Sequence, residues 1–171
     1  QLWPILDRIF NLNLKFETTQ EAIEQRKSFL KQRHIGVCDI VASAERKKID
    51  ASDIGMQNVA LRNVLDYLEK YPKVKILLFT GGNSKNGPEY FFRKHLKEHD
   101  VLLENISNTV PRIHRFIHPI TKNKIKTFSL IAPSGAANRA VGSLESYKRM
   151  KRKNAEFNTI DFRVLQYREF F

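Results

Sequence analysis

Three observations predict an α/β fold, a sandwich built around a mainly parallel sheet. Short apolar or β-branched runs alternate along the chain with segments of helical periodicity. Turn residues close several of those runs at their carboxyl ends. The chain has 171 residues and is 42% hydrophobic, enough for one domain, residues 1–171, with a core of its own.

The elements follow in order. Leu2, Ile5, Leu6 and Ile9 fall at i, i+3, i+4 and i+7, with Pro4 tolerated in a first turn, and predict an amphipathic helix. Thr18 with Glu21 reads as a capping box, opening a second helix whose buried stripe is Ala22, Ile23, Phe29 and Leu30. Residues 35–42 (Ile-Gly-Val-Cys-Asp-Ile-Val-Ala) read as a buried strand, and residues 44–53 as a polar linker. Leu61, Val64, Leu65 and Leu68 have helical spacing, and Pro72 ends that helix. Residues 74–80 form the clearest strand, closed by Gly81 and Gly82 before a helix from Pro88 to His99. Residues 115–118 and 126–131 predict a hairpin around 121–124. Helices over 143–150 and 159–171 complete the chain. Ligand sites in such sheets lie beyond the carboxyl ends of the strands, here the loops after Ile40, Thr80 and Ile131.

The net charge is +12 and unevenly placed. Between Pro111 and Lys153 eleven Lys and Arg residues stand against Glu145 alone. A solvated surface explains a basic run; a nucleic-acid-binding face explains its concentration better. The single cysteine, Cys38, excludes an internal disulfide and suits a reducing cytoplasm. No apolar run approaches the ~20 residues of a membrane span, so a soluble, cytoplasmic monomer is expected. The chain opens on Gln1 rather than Met, with nothing resembling a signal peptide, so further residues are expected before it. His34, His95, His99, His114 and His118 show neither nucleophile nor metal spacing.

The most informative segment follows the run 127–131: Ala132, Pro133, Ser134, Gly135, Ala136, Ala137, Asn138, Arg139. A Pro-Ser-Gly turn of small residues lets a backbone approach a ligand closely, and its N–H groups can bind phosphate oxygens. This loop, with the basic helix carrying Tyr147, resembles the intercalation loop of the uracil-DNA glycosylase superfamily. Three further segments resemble its mismatch-specific uracil and hypoxanthine branch in the same order. They are Leu2-Trp3 at a helix start, residues 35–41 followed by Arg46, and the strand 77–82 ending in glycine.

The resemblance implies a three-layer α/β sandwich that flips a deaminated or mismatched base, uracil or hypoxanthine, out of DNA. The N-glycosidic bond is then hydrolysed with no metal and no cofactor, by electrostatic stabilisation of an oxocarbenium-like transition state. It implies that Leu2, Trp3 and Asp39 line the base pocket, that Ser134 and Gly135 clamp phosphates flanking the lesion, and that Ala136 belongs to the same DNA-binding loop. Asn138 and Arg139 would probe the gap left in the stack, and Lys148, Lys151 and Arg152 would hold the DNA backbone. The catalytic residue is expected upstream of Gln1.

The residues also carry plainer readings. Trp3 is a core anchor if it does not line a pocket. Asp39, set among apolar residues, either organises the pocket or ties to an Arg or a backbone N–H, because a buried carboxylate needs a partner. Ala132 stands where the family places His or Asn and cannot donate to a departing base. Ala136 stands where relatives carry a bulky wedge. Both favour the alternative, a catalytically silent nucleic-acid-binding domain on the same scaffold. A protein-interaction module with a basic surface is the third reading.

Overall fold

The computed structural model describes residues 2–46 and 55–171. The helices are α1 (Leu2–Phe10), α2 (Gln20–Gln32), α3 (Val64–Lys70), α4 (Pro88–Glu98), α5 (Asn138–Ser143), α6 (Glu145–Lys153) and α7 (Thr159–Arg168). The strands are β1 (Val41–Arg46), β2 (Met56–Leu61), β3 (Ile76–Phe79), β4 (Glu104–Ser107), β5 (Arg112–Ile117) and β6 (Lys124–Ser129). They fall into two compact units: Gln1–Cys38 with Pro133–Phe171, and Asp39–Ala132. Among the described residues no helix is long and apolar enough to cross a membrane.

The first unit is helical. In α1 the expected stripe buries Ile5 and Leu6, with Leu2 and Ile9 half-buried at its edges. Asp161 of α7 accepts from Arg8 at 2.5 Å, and Phe10 packs on Phe29 of α2 at 5.1 Å. The cap of α2 is Thr19, one residue later than Thr18: its hydroxyl accepts from the Ala22 N–H at 3.2 Å. Glu21 does not close the box but pairs with Lys15 at 2.7 Å. Ala22 and Phe29 are buried as expected, whereas Ile23 is 45% exposed. The box that does close lies at α7. There the Asn158 side chain accepts from the Ile160 and Asp161 N–H groups, and Asp161 accepts from the Asn158 N–H.

The second unit holds a four-stranded sheet of order β3-β6-β5-β4 and a separate two-stranded ribbon of β1 and β2. Among the described strands only β3 and β6 run parallel; β6–β5 and β5–β4 are antiparallel. The expectation of a mainly parallel sheet is therefore corrected to a mixed, mostly antiparallel one. Two features cause the difference. The turn at 121–124 is tight, with the His118 N–H donating to Asn123 O at 2.9 Å, and it binds β5 and β6 as a hairpin. The added edge strand β4, Glu-Asn-Ile-Ser, is too polar for a hydrophobic run to announce it.

The run 35–42 is corrected likewise. Its first half is irregular, and the strand begins only at Val41, in the ribbon rather than in the larger sheet. The linker expected at 44–53 begins inside β1, and residues 47–54 lie outside the described residues. β2 went unread.

On one face of the four-stranded sheet, Val64, Leu65 and Leu68 of α3 and Phe92 and Leu96 of α4 pack with Phe116 and Ile125. Phe92 sits 5.0 Å from Phe79 and 5.4 Å from Phe116, ring to ring. Each such side chain contributes about 1.5–3 kcal/mol by leaving water. His118 is structural: its Nε2 bonds Leu65 O at 2.9 Å, and its Nδ1 accepts from the Ile120 and Thr121 N–H groups.

Candidate nucleic-acid interface

The Pro-Ser-Gly loop lies in the helical unit and leads into α5. The loop is closed by its own backbone, Ala137 N–H donating to Ser134 O and Asn138 N–H to Gly135 O. The residue that fixes it is Arg163 of α7, whose side chain is fully buried. Arg163 Nη2 donates to Ser134 O at 3.0 Å; its Nη1 donates to Asn138 Oδ1 at 3.0 Å and to Thr159 O at 3.2 Å. One planar fork thus ties both ends of the turn to α7. Burial pulls the Arg163 pKa below the ordinary guanidinium value, yet a guanidinium stays protonated, so a positive charge stands behind the loop.

Gly135 and Ala136 are exposed. Gly135 has no left-handed backbone, and a Cβ placed on it would meet nothing within 4 Å. The fold itself makes no demand for glycine there.

α5 touches α6, which has no buried residue. Tyr147 anchors α6 through Phe157 at 5.9 Å and, edge-on, Phe162 at 5.8 Å. The rest of α6 presents Lys148, Arg149, Lys151, Arg152 and Lys153 to solvent. Lys148 pairs with Glu145 at 2.8 Å, and Lys151 donates to Ala155 O. Arg139, Arg149, Arg152 and Lys153 make no ion pair among the described residues. Exposed pairs such as Lys148–Glu145 contribute little and exchange readily for a phosphate.

The sequence-predicted residues are brought together only in part. Ser134, Asn138 and the α5–α6 segment form one arrangement around Arg163. The Asn138 carbonyl oxygen is engaged there, which leaves Arg139, exposed at the start of α5, as the side chain projecting from the loop. Leu2 and Trp3 are half-buried on α1, and the Arg26 guanidinium stands 5.3 Å from the Trp3 ring centroid. That cation–π contact gives Trp3 a packing partner within its own unit.

Asp39 belongs to the other unit and is exposed, its Oδ1 accepting from the Val41 N–H at 2.9 Å. The expectation of a buried carboxylate is corrected: Asp39 makes a short side-chain turn where the ribbon begins. The basic cluster has members in both units. Of its members in the sheet unit, Arg112 pairs with Glu89 at 3.0 Å and Arg115 with Glu104 at 2.6 Å. Arg163 was missed, although a lone charge in the run Phe162-Arg163-Val164-Leu165, four residues before Tyr167, marks a helix face with a polar duty.

Among the described residues no group of three or more His, Cys, Asp and Glu side chains is placed to hold a metal ion. No protein-family model, curated protein or solved structure matches the chain.

Proposed function

We propose that this chain binds DNA through α6 and the Pro-Ser-Gly loop, and that it excises uracil or hypoxanthine from mispaired DNA by hydrolysing the N-glycosidic bond. The observation that carries the binding half is the unburied helix α6. It is held through one aromatic side chain, Tyr147, presents Lys148, Arg149, Lys151, Arg152 and Lys153 outward, and adjoins a turn fixed from behind by Arg163. A basic helix beside a small-residue loop suits a phosphate backbone, which rewards each cation that displaces a counterion. The excision half rests on the ordered resemblance to the uracil-DNA glycosylase superfamily, and with it the three-layer sandwich that the resemblance implies.

Ala132 removes a side-chain donor from the leaving base, a loss of about 3–4 kcal/mol, or two to three decades in rate. Slow turnover is expected, fastest where pairing is already weak and extrusion costs less. The test is an assay of the longest natural form of the protein on uracil, hypoxanthine and xanthine opposite each normal base. It is run in EDTA and read by alkaline strand scission. Abasic product supports excision. DNA binding without product at enzyme excess leaves the second reading, a silent DNA-binding domain, which Ala132 favours.

A further inference from the structure

In the sheet unit the face that packs on α4 is apolar at one end and polar at the other. Glu89, in the first turn of α4, is fully buried. Its Oε1 accepts from Arg93 Nε at 2.8 Å, forms an ion pair with Arg112 Nη2 at 3.0 Å, and lies 3.8 Å from His114 Nε2. Arg93 Nη2 stands 2.6 Å from the same His114 Nε2. A guanidinium only donates, so Nε2 accepts and the neutral ring carries its proton on Nδ1. Burial holds the His114 pKa below the usual range; Glu89 opposes this, and Arg93 and Arg112 reinforce it. The β5–β6 register sets Ser129 opposite Arg112 and Thr127 opposite His114, so all four share one face.

Five buried atoms of this set have no hydrogen-bond partner among the described residues: Glu89 Oε2, Arg112 Nε, His114 Nδ1, Thr127 Oγ1 and Ser129 Oγ. Each unmade bond in a dry interior is costly, and so many on one patch point to a polar occupant. Its chemistry can be read from the orphans. One carboxylate against two guanidiniums leaves a net positive charge, which calls for an anion. Two N–H groups and two hydroxyls offer donors to its oxygens. Glu89 Oε2 can only accept, so the anion must also bring a hydroxyl. The cluster lies where β6 ends and α4 begins, at the carboxyl end of the parallel β3–β6 pair. Arg93 and Arg112, 33% and 27% exposed, open it to solvent.

We propose that Glu89, Arg93, Arg112, His114, Thr127 and Ser129 form a binding site for a singly charged, hydroxyl-bearing phosphate: inorganic phosphate or a phosphomonoester. Sulfate and phosphodiesters carry no such hydroxyl, and the Glu89 carboxylate repels them. The site is independent of the DNA-binding reading.

The test is thermal unfolding and the His114 imidazole NMR signals, followed against inorganic phosphate, methyl phosphate, dimethyl phosphate and sulfate. Ionic strength is held equal and the pH is about 6, where phosphates keep a proton. Phosphate is expected to raise Tm with its logarithm and to shift the His114 signals saturably; sulfate and dimethyl phosphate do neither. A response to methyl phosphate equal to that of phosphate assigns the site to monoesters, and a weaker one to the free ion. Thr127→Val with Ser129→Ala should weaken the response at least tenfold, without lowering Tm in the absence of phosphate. Arg112→Lys keeps the charge but removes the Nε–H and should weaken it too, which keeps the test decisive if the double variant fails to fold. No response to phosphate, an equal response to sulfate, or a response that survives these substitutions overturns the proposal.

Discussion

Arg163 and Glu89 are both fully buried charges, one in each unit, and they are satisfied in opposite ways. Arg163 donates to two backbone carbonyls and an amide, so its charge fixes a turn. Glu89 is met by side-chain cations that are themselves part-exposed, so its charge organises a set of movable groups. The first arrangement is a scaffold, because its partners include two backbone carbonyls and an amide whose places the arginine sets. The second is adaptable, because Arg93 and Arg112 can turn toward water when the carboxylate goes. The contrast makes the helical unit the one that presents a preset surface, and the sheet unit the one able to accommodate an ion.

Removing the two charges should separate the two cases. Arg163→Ala is expected to cost about 3 kcal/mol or more, from lost charge-assisted bonds and lost packing of a buried side chain. DNA affinity should fall with it, because the Pro-Ser-Gly turn loses its tie to α7. Glu89→Ala should cost less, about 2 kcal/mol, since the exposed parts of both arginines recover water. Denaturant unfolding of both variants checks the order. Equal losses would mean that Arg93 and Arg112 are as fixed as the Pro-Ser-Gly turn.

Acid should act on the sheet unit first. Burial lowers the pKa of His114, and it lowers that of His95 together with the neighbouring His99; Glu89 opposes the shift at His114, as Glu98 and Asp66 do at His95. Above the unfolded value of about 6.5 both states are neutral and nothing changes. Below it the unfolded chain binds protons that the folded unit does not, so stability falls as pH falls. Unfolding midpoints between pH about 7 and 5 test this, and His114→Gln should flatten the slope. A flat profile in the parent protein would place both rings in contact with water.

The smallest effects belong to caps and anchors. Tyr147→Ala should cost about 1 kcal/mol by releasing α6 from Phe157 and Phe162. Asn158→Ala should cost about 1 kcal/mol and exceed Thr19→Ala, because Asn158 closes a reciprocal box and Thr19 makes a single bond.

What the sequence disclosed follows the same division. Periodicity located Ile5, Leu6, Val64, Leu65, Leu68 and the start of α4 at Pro88, because helical stripes survive in a linear reading. Strand runs misled where a polar residue did something local: Asp39 turned a buried strand into the entrance of an exposed ribbon. The polar β4 carried Ile106 as its single apolar residue, too little for a strand run. Net charge overstated the basic surface, because Arg112 and Arg115 pair with Glu89 and Glu104 from distant parts of the chain. Arg163 and the Glu89 cluster were invisible for a related reason. Their meaning lies in partners brought close by folding, Ser134 from 29 positions away and His114 opposite Thr127.

The salt dependence of DNA binding tests the central claim most directly. Anisotropy of a labelled duplex should give log K falling linearly with log salt, with a slope of about −0.9 for each phosphate neutralised. Lys148→Glu, Lys151→Glu and Arg152→Glu together should make that slope shallower by about 3 and weaken binding at every salt concentration, with the fold unchanged by circular dichroism. A salt-independent affinity, or a triple variant that binds as the parent does, would contradict α6 as the DNA-binding surface.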